Sequence, residues 1–365
     1  MPMSRLLCIL LLTLVFVVPV HAADLEWDIE VGIDDSIFPS LIIATSTMLD
    51  DDDDPDPTIL GDPWGFVGVI IVAPADQAPV RVEISSGKLI GPSVWEGVLP
   101  KKGETYLVNP VLKFDYDALL AIRQPFPEVV TARVLVNGQP VAEKSKRVPV
   151  RTINDCMLGY EDDEGDFVDT SWLFAAYVNE NHPVVDALLG EALKAGYVDS
   201  FAAYQKDADE VVEEIEAVYR AIQARGFKYS NITRSSGESG VVAMQHVRLI
   251  GEQVRSAQAN CVEGSTLFAS VFRKLEMSTF LVSVPGHMFV CVHLDEDQEE
   301  TLCIETTMVG TASFENAVSE GNDQFLEALP FLISDSMNEE TSEGYAIIDI
   351  DDARQSGIMP ISEAL

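Results

Sequence analysis

The stretch "AQANCVEGSTLFASVF" (257–272) decides how the second half of this chain is read. Leu267, Phe268, Val271, Phe272 and Leu275 recur at helical spacing and form an apolar stripe that a core would bury. Asn260 is a preferred N-cap, and Glu263 stands three residues on, in the position of a capping-box partner. Cys261 therefore falls in the first helical position. Free backbone N–H groups and the helix dipole favour a thiolate there, which is what a nucleophile needs. A lone cysteine is otherwise a small buried hydrophobe, so its distant neighbours must decide.

Downstream, "SVPGHMFVCVHL" (283–294) and "TLCIETT" (301–307) read as two strands joined by the acidic loop "DEDQEE". Pairing about the loop midpoint sets Cys291 opposite Cys303 and position 289 opposite Glu305. Side-chain alternation then puts His287, Cys291, Cys303 and Glu305 on one face. His287 becomes the diagonal neighbour of Glu305, about 7–8 Å away between backbones and within reach of a carboxylate–imidazole hydrogen bond. Thiolate, imidazole and orienting carboxylate are the parts of a nucleophilic acyl-transfer site. A one-residue slip would turn Glu305 to the other face. The same register allows a Cys291–Cys303 disulfide in an oxidising compartment, with two buried thiols as the default. Cys156 has no evident partner.

Upstream, "TSWLFAAYVNEN" (170–181), "HPVVDALLGEALKAG" (182–196) and "DADEVVEEIEAVYRAIQARG" (207–226) have helical periodicity and suggest a helical layer. Trp172, Tyr177 and Tyr219 are expected to pack it. "VAMQHVRLIGEQVRSA" (242–257) is helix-like, and "YAIIDIDDARQSGIMPI" (345–361) suggests one more strand and a short tail. Helices before strands make residues 167–365 an α+β domain, with helices packed on an antiparallel sheet. Residues 24–150 read instead as short β-branched runs bounded by Gly, Pro and Asn, with "VNGQP" (136–140) as a hairpin turn. An all-β, immunoglobulin-like antiparallel sandwich is expected there, joined to the second domain by a linker at 151–166.

The net charge of −37 over 365 residues argues against nucleic acid or an anionic membrane as partner. Arg5, the apolar run to Val18 and the small residues after Pro19 make residues 1–23 a secretory signal peptide. No later segment is apolar enough to span a membrane, so the mature chain is expected to be exported, periplasmic or secreted. Signal removal takes Cys8 and leaves Cys156, Cys261, Cys291 and Cys303, too few for a disulfide scaffold and spaced for no common zinc site. No cofactor is expected. "DDDDDPDP" (50–57) could be a weak calcium loop, but it lacks the alternating ligands and glycine of a defined motif and reads better as a solvated loop. Asn231-Ile232-Thr233 is formally a glycosylation sequon and carries little weight.

The ordered residues in "QHVRLIGEQVRSAQANCVEGSTLFASVFRKLEMSTFLVSVPGHMFVCVHL…CIETT" (245–307) resemble the transglutaminase-like superfamily, with its papain-like fold and Cys–His–Asp core. "VYRAIQARGFKYS" (218–230) is similar to the segment that precedes that core in bacterial members, so the likeness spans about residues 205–310. It implies Cys261 as nucleophile, His287 as general base and acid, and Glu305 as orienting group. The family's usual Asp is Glu here, "GDC" reads "ANC", and "HAW" reads "HMF". Gln245 is an oxyanion candidate beside the Cys261 backbone N–H, with a surface or capping role as its bland alternative. His246 and His293 are ranked structural. The implied activity is attack on amide bonds of a protein or peptide substrate through a thioester. Hydrolysis by a peptidase or amidase is slightly preferred to transamidation, because water abounds outside the cell. A catalytically silent binding or assembly protein is the alternative.

Overall fold

A computed structural model of the chain describes residues 25–48, 56–162, 165–202, 208–231, 241–295, 297–337 and 344–363. The signal segment 1–23, most of the aspartate run at 50–57 and two residues of the 231–233 sequon lie outside the described residues. The architecture is α+β. Among the described residues, no helix is long and apolar enough to cross a membrane.

The first part holds two four-stranded sheets. One orders Trp27–Val31, Val67–Val72, Thr105–Asn109 and Ile59–Gly61; the other orders Gln139–Val150, Phe126–Val136, Ala78–Ser86 and Ser93–Leu99. Val80, Val82 and Ile84 alternate inward along one strand, and Val130, Ala132, Val134 and Val136 along its neighbour. They share one core with Ile29, Val69 and Ile71 of the first sheet. This is the alternation expected of strands buried on one face. The expected turn at Asn137-Gly138 is present, with both residues at positive φ (52° and 74°). The sheets are not purely antiparallel, because Ile59–Gly61 runs parallel to Thr105–Asn109.

Residues 151–166 do not form a free linker. They contain the strand Asp155–Glu161, which pairs with Phe167–Asp169 on one side and Val242–His246 on the other. Asp155, Cys156 and Met157 are fully buried, and the buried Ser40 hydroxyl donates to the Asp155 carbonyl at 2.6 Å. The apolar "CMLG" (156–159), inside the stretch expected to be a linker, seats this strand in the core.

The second part centres on a four-stranded antiparallel sheet ordered Thr301–Ile304, His287–His293, Thr279–Val284 and Ala346–Asp349. The helix Cys261–Lys274 packs on one face. Leu267, Phe268, Val271 and Phe272 enter the main core with Met288, Val290 and Val292. The helix Phe314–Met337 covers the opposite face over Phe280, Val282, Phe289, Cys291 and Cys303. This long helix escaped the sequence reading because Gly321 and Pro330 interrupt its pattern. Gly321 is required by contact: a Cβ there would sit 2.6 Å from the Cys303 carbonyl. The helices Pro183–Ala195 and Ala208–Ala224 match expectation, whereas 170–181 forms the 3-10 helix Ser171–Tyr177. Tyr177 and Tyr219 are buried as expected.

Cys291 and Cys303 face one another in the register the loop midpoint implied, and they form a disulfide rather than the default pair of thiols. Their Cα atoms are 4.1 Å apart, the close spacing of a non-hydrogen-bonded pair. The Cys303 N–H accordingly turns away, donating to the Asn322 side chain at 2.9 Å. The bond closes a sequence separation of 12. The chain-entropy relation for such a loop gives about 3 kcal/mol. Replacing both cysteines with alanine should lower unfolding free energy in urea by about that amount, on top of the small cavity left behind. An unchanged midpoint would show that the bond does not form.

Candidate active site

The cysteine helix starts where its caps dictate. The Asn260 side chain accepts from the Glu263 N–H, and the Glu263 carboxylate accepts from the Asn260 N–H, both at 2.9 Å. Glu263 is also fully buried and carries a charge that needs a partner. Arg248 supplies it: Nη2 lies 2.7 Å from Oε2 and Nε 2.9 Å from Oε1, with the Arg248 backbone N–H on Oε1 as well. One carboxylate thus ties the first helical turn to the segment after Gln245. Cys261 opens this turn as a free, partly exposed thiol, with its backbone N–H among the helix's unpaired amides.

His287 is the first residue of its strand, and Glu305 lies one residue beyond the end of the next, as the N-cap of the turn Thr306–Met308. Their side chains meet, with Nε2 to Oε2 at 2.6 Å. Glu305 is buried, and its other oxygen accepts from the backbone and hydroxyl of Thr307. Burial pushes the Glu305 carboxyl up, but the bonds from His287 and Thr307 outweigh it and hold the group below its ordinary value. The His287 pKa is raised from 6.5 to about 10, first by a hydrogen bond with the Cys261 side chain and second by that with Glu305, while burial opposes. The start of the Cys261 helix lies against this pair: Ser265, one turn on from Cys261, has its hydroxyl 3.3 Å from the Met288 carbonyl and 3.3 Å from the Thr306 hydroxyl. Strand alternation does not explain this. Cys291 and Cys303 point to the face under Phe314–Met337, whereas the Cys261 helix lies on the other. The contact forms at the sheet's rim, where strand ends no longer obey the pleat.

These shifts set a pH window. The folded pKa of His287 exceeds its unfolded value, so its contribution is full below pH 6.5 and declines as pH rises through about 10. Glu305 is shifted down, so its contribution is full above pH 4.5 and is lost as pH falls through its lower folded value. Both are complete between those limits. Urea melts across pH should show the wild-type advantage over Glu305→Gln shrinking above pH 6.5. A pH-independent difference would mean that the imidazole is not so held.

Gly264 faces Thr306 across the helix–turn contact, and a Cβ there would lie 2.8 Å from the Thr306 hydroxyl. Gly264→Ala must push that turn, and Glu305 with it. Its expected cost is about 1–3 kcal/mol, read as a lowered melting temperature together with slower labelling of Cys261. Normal labelling in a destabilised protein would separate the turn from the site.

The other candidates lie apart from this trio. Gln245 is on the strand Val242–His246, not a helix, opposite Cys156, and its amide donates to the His246 carbonyl at 3.3 Å. The helix begins only at Ile250, where Glu252 accepts from the Leu249 N–H at 3.0 Å. Among the described residues, no hydrogen bond joins Gln245 to Cys261. His246 lies 3.7 Å from the buried Asp155, and burial lowers the pKa of His293 at the far end of the His287 strand. The sequence reading passed over Tyr229, on a two-residue strand parallel to Gln258–Ala259, just before the cysteine. Burial, then the neighbouring Cys261 and Glu305, raise its hydroxyl pKa, so it keeps its proton as a donor. Its local signal is the "KYS" run at 228–230. Among the described residues, no group of three or more His, Cys, Asp or Glu side chains could hold a metal ion.

No protein-family model matches the chain, and no relative is found among curated proteins.

Proposed function

We propose that this chain is an exported cysteine acyl-transfer enzyme of transglutaminase-like type, whose immunoglobulin-like β-rich part helps present a protein or peptide substrate. The observations that carry the reading are the 2.6 Å bond between His287 and the Glu305 carboxylate and the upward shift of the His287 pKa, to which the neighbouring Cys261 side chain contributes. The ring, with a pKa raised to about 10, stays protonated at neutral pH, and a protonated imidazole is the charge partner that a sulfur nucleophile needs. The sulfur attacks an amide carbonyl carbon. The oxyanion forms near the Cys261 backbone N–H, with the protonated Tyr229 hydroxyl as a second donor in place of Gln245. His287 gives its proton to the leaving nitrogen, and the C–N bond breaks to leave a thioester. Water then attacks the thioester, losing a proton to His287, and releases a carboxylic acid. An amine in place of water gives a new amide. Glu305 keeps the ring aligned throughout.

Incubating the mature protein with a casein digest and a labelled alkylamine, with and without Cys261→Ala, separates the outcomes. New termini dependent on Cys261 support hydrolysis, and Cys261-dependent amine incorporation supports transamidation. Neither product from a correctly folded protein would favour a binding protein that keeps the fold without turnover.

A further inference from the structure

A cleft among the described residues shares no lining residue with the Cys261 site. It lies between the β-rich part and the strand–turn segment 160–172, and encloses about 1190 Å³ including its open mouth. Trp64, Phe66, Phe114, Tyr116, Tyr160 and Trp172 line it. Trp172, expected only to pack the helical layer, is half-buried here with one side on the cleft. Three apolar side chains at this cleft are exposed to a degree that folding alone does not reward: Val111 at 72%, Trp64 at 60% and Tyr116 at 43%.

The backbone that displays Trp64 is held firmly. The Asp62 N–H donates to the Asn109 carbonyl at 2.8 Å, and the Asn109 side-chain amide returns a bond to the Asp62 carbonyl at 3.1 Å. The Asp62 carboxylate accepts the Trp64 N–H at 3.1 Å. A Cβ on Gly65 or Gly68 would collide with the Asn109 side chain at 2.5 or 2.0 Å. An exposed indole on a turn fixed from three sides is costly unless something covers it.

The lining also identifies the chemistry of what covers it. Among its described residues Asp62 is the one charged group, and Lys, Arg and His are absent. The whole chain carries −37. Aromatic faces attract cations through their quadrupole, and a carboxylate at the rim adds to that attraction. Thr170 lines the same cleft at 6% exposure, and its hydroxyl has no hydrogen-bond partner among the described residues. A polar group on a bound molecule would satisfy it.

We infer that this aromatic cleft binds a small organic cation, an alkylammonium head on an apolar frame bearing a hydroxyl or other polar group. Binding is independent of the Cys261 chemistry. The test is a tryptophan-fluorescence titration of the mature protein with choline, with benzyltrimethylammonium, and with 3,3-dimethylbutan-1-ol, the uncharged carbon isostere of choline. Both cations should give saturable changes, and the isostere should bind on the order of tenfold more weakly. Trp64→Ala and Asp62→Asn should each weaken the cations by a similar factor while far-UV dichroism and melting temperature hold. Calorimetry with the Trp64→Ala protein removes dependence on that fluorophore. Equal binding of the isostere, a response to maltotriose but to neither cation, or no saturable response to the cations would each overturn the assignment.

Discussion

Cys261→Ala and His287→Ala are each expected to lower amide turnover by about 10⁴-fold or more, with the double variant little worse than either single one. Residues that act as one unit lose their effect together. The same site can be read without a known substrate. Among the described cysteines, Cys156 is buried with its thiol pushed far up, and Cys291 and Cys303 are bonded to each other. A thiol-directed electrophile should therefore modify Cys261 selectively in the folded protein, and His287→Ala should slow that modification at neutral pH. Glu305→Gln should act more mildly, because it keeps the shape of the contact while losing the charge that stabilises the imidazolium. Labelling on another residue, or at equal rates in wild type and His287→Ala, would contradict the assigned roles.

Glu263→Ala is expected to be the most destabilising change in this region. Glu263 is 0% exposed, closes the capping box with Asn260 and pairs with Arg248 through two side-chain bonds. Its removal leaves the largely buried Arg248 guanidinium uncompensated. Breaking one side of such a pair costs about 3–5 kcal/mol. Losing the cap adds about 1 kcal/mol. Arg248→Ala strands the opposite charge and should cost a similar amount. A double variant, Glu263→Leu with Arg248→Met, should lose much less than the sum, because no bare charge remains. Urea unfolding of the three variants measures this coupling. Additive losses would mean that the two groups contribute separately. Because the pair sits at the start of the cysteine helix, single variants that still fold should also label more slowly at Cys261.

The local rules on which the site rests were legible in the sequence. Asn260 and Glu263 announced the helix start through short-range capping chemistry, which depends little on the rest of the fold. The acidic loop at 295–300 fixed the hairpin register, so Cys291 and Cys303 were correctly opposed. That register also suggested His287 beside Glu305, but for an incomplete reason. Parity placed them with the two cysteines, whereas the Cys261 helix packs on the opposite face and its start lies against Thr306, next to Glu305. Long-range partners gave no local signal. Nothing next to Arg248 in the sequence marks a partner for it, and only tertiary packing turns it onto Glu263. Residues 242–246 alternate too briefly to separate strand from helix, and pairing with Asp155–Glu161 decides for strand. Gln245 was placed accordingly on the wrong element, and Tyr229 was passed over. The aromatic cleft draws on residues from 33 to 172, a spread that periodicity does not reveal.

A proton NMR titration of the His287 ring tests most directly whether sulfur, imidazole and carboxylate share one pocket. The account predicts a midpoint far above the ordinary 6.5, towards about 10, that drops in Cys261→Ala and drops again when Glu305→Gln is added. A midpoint near 6.5, indifferent to both substitutions, would show that the three groups do not meet.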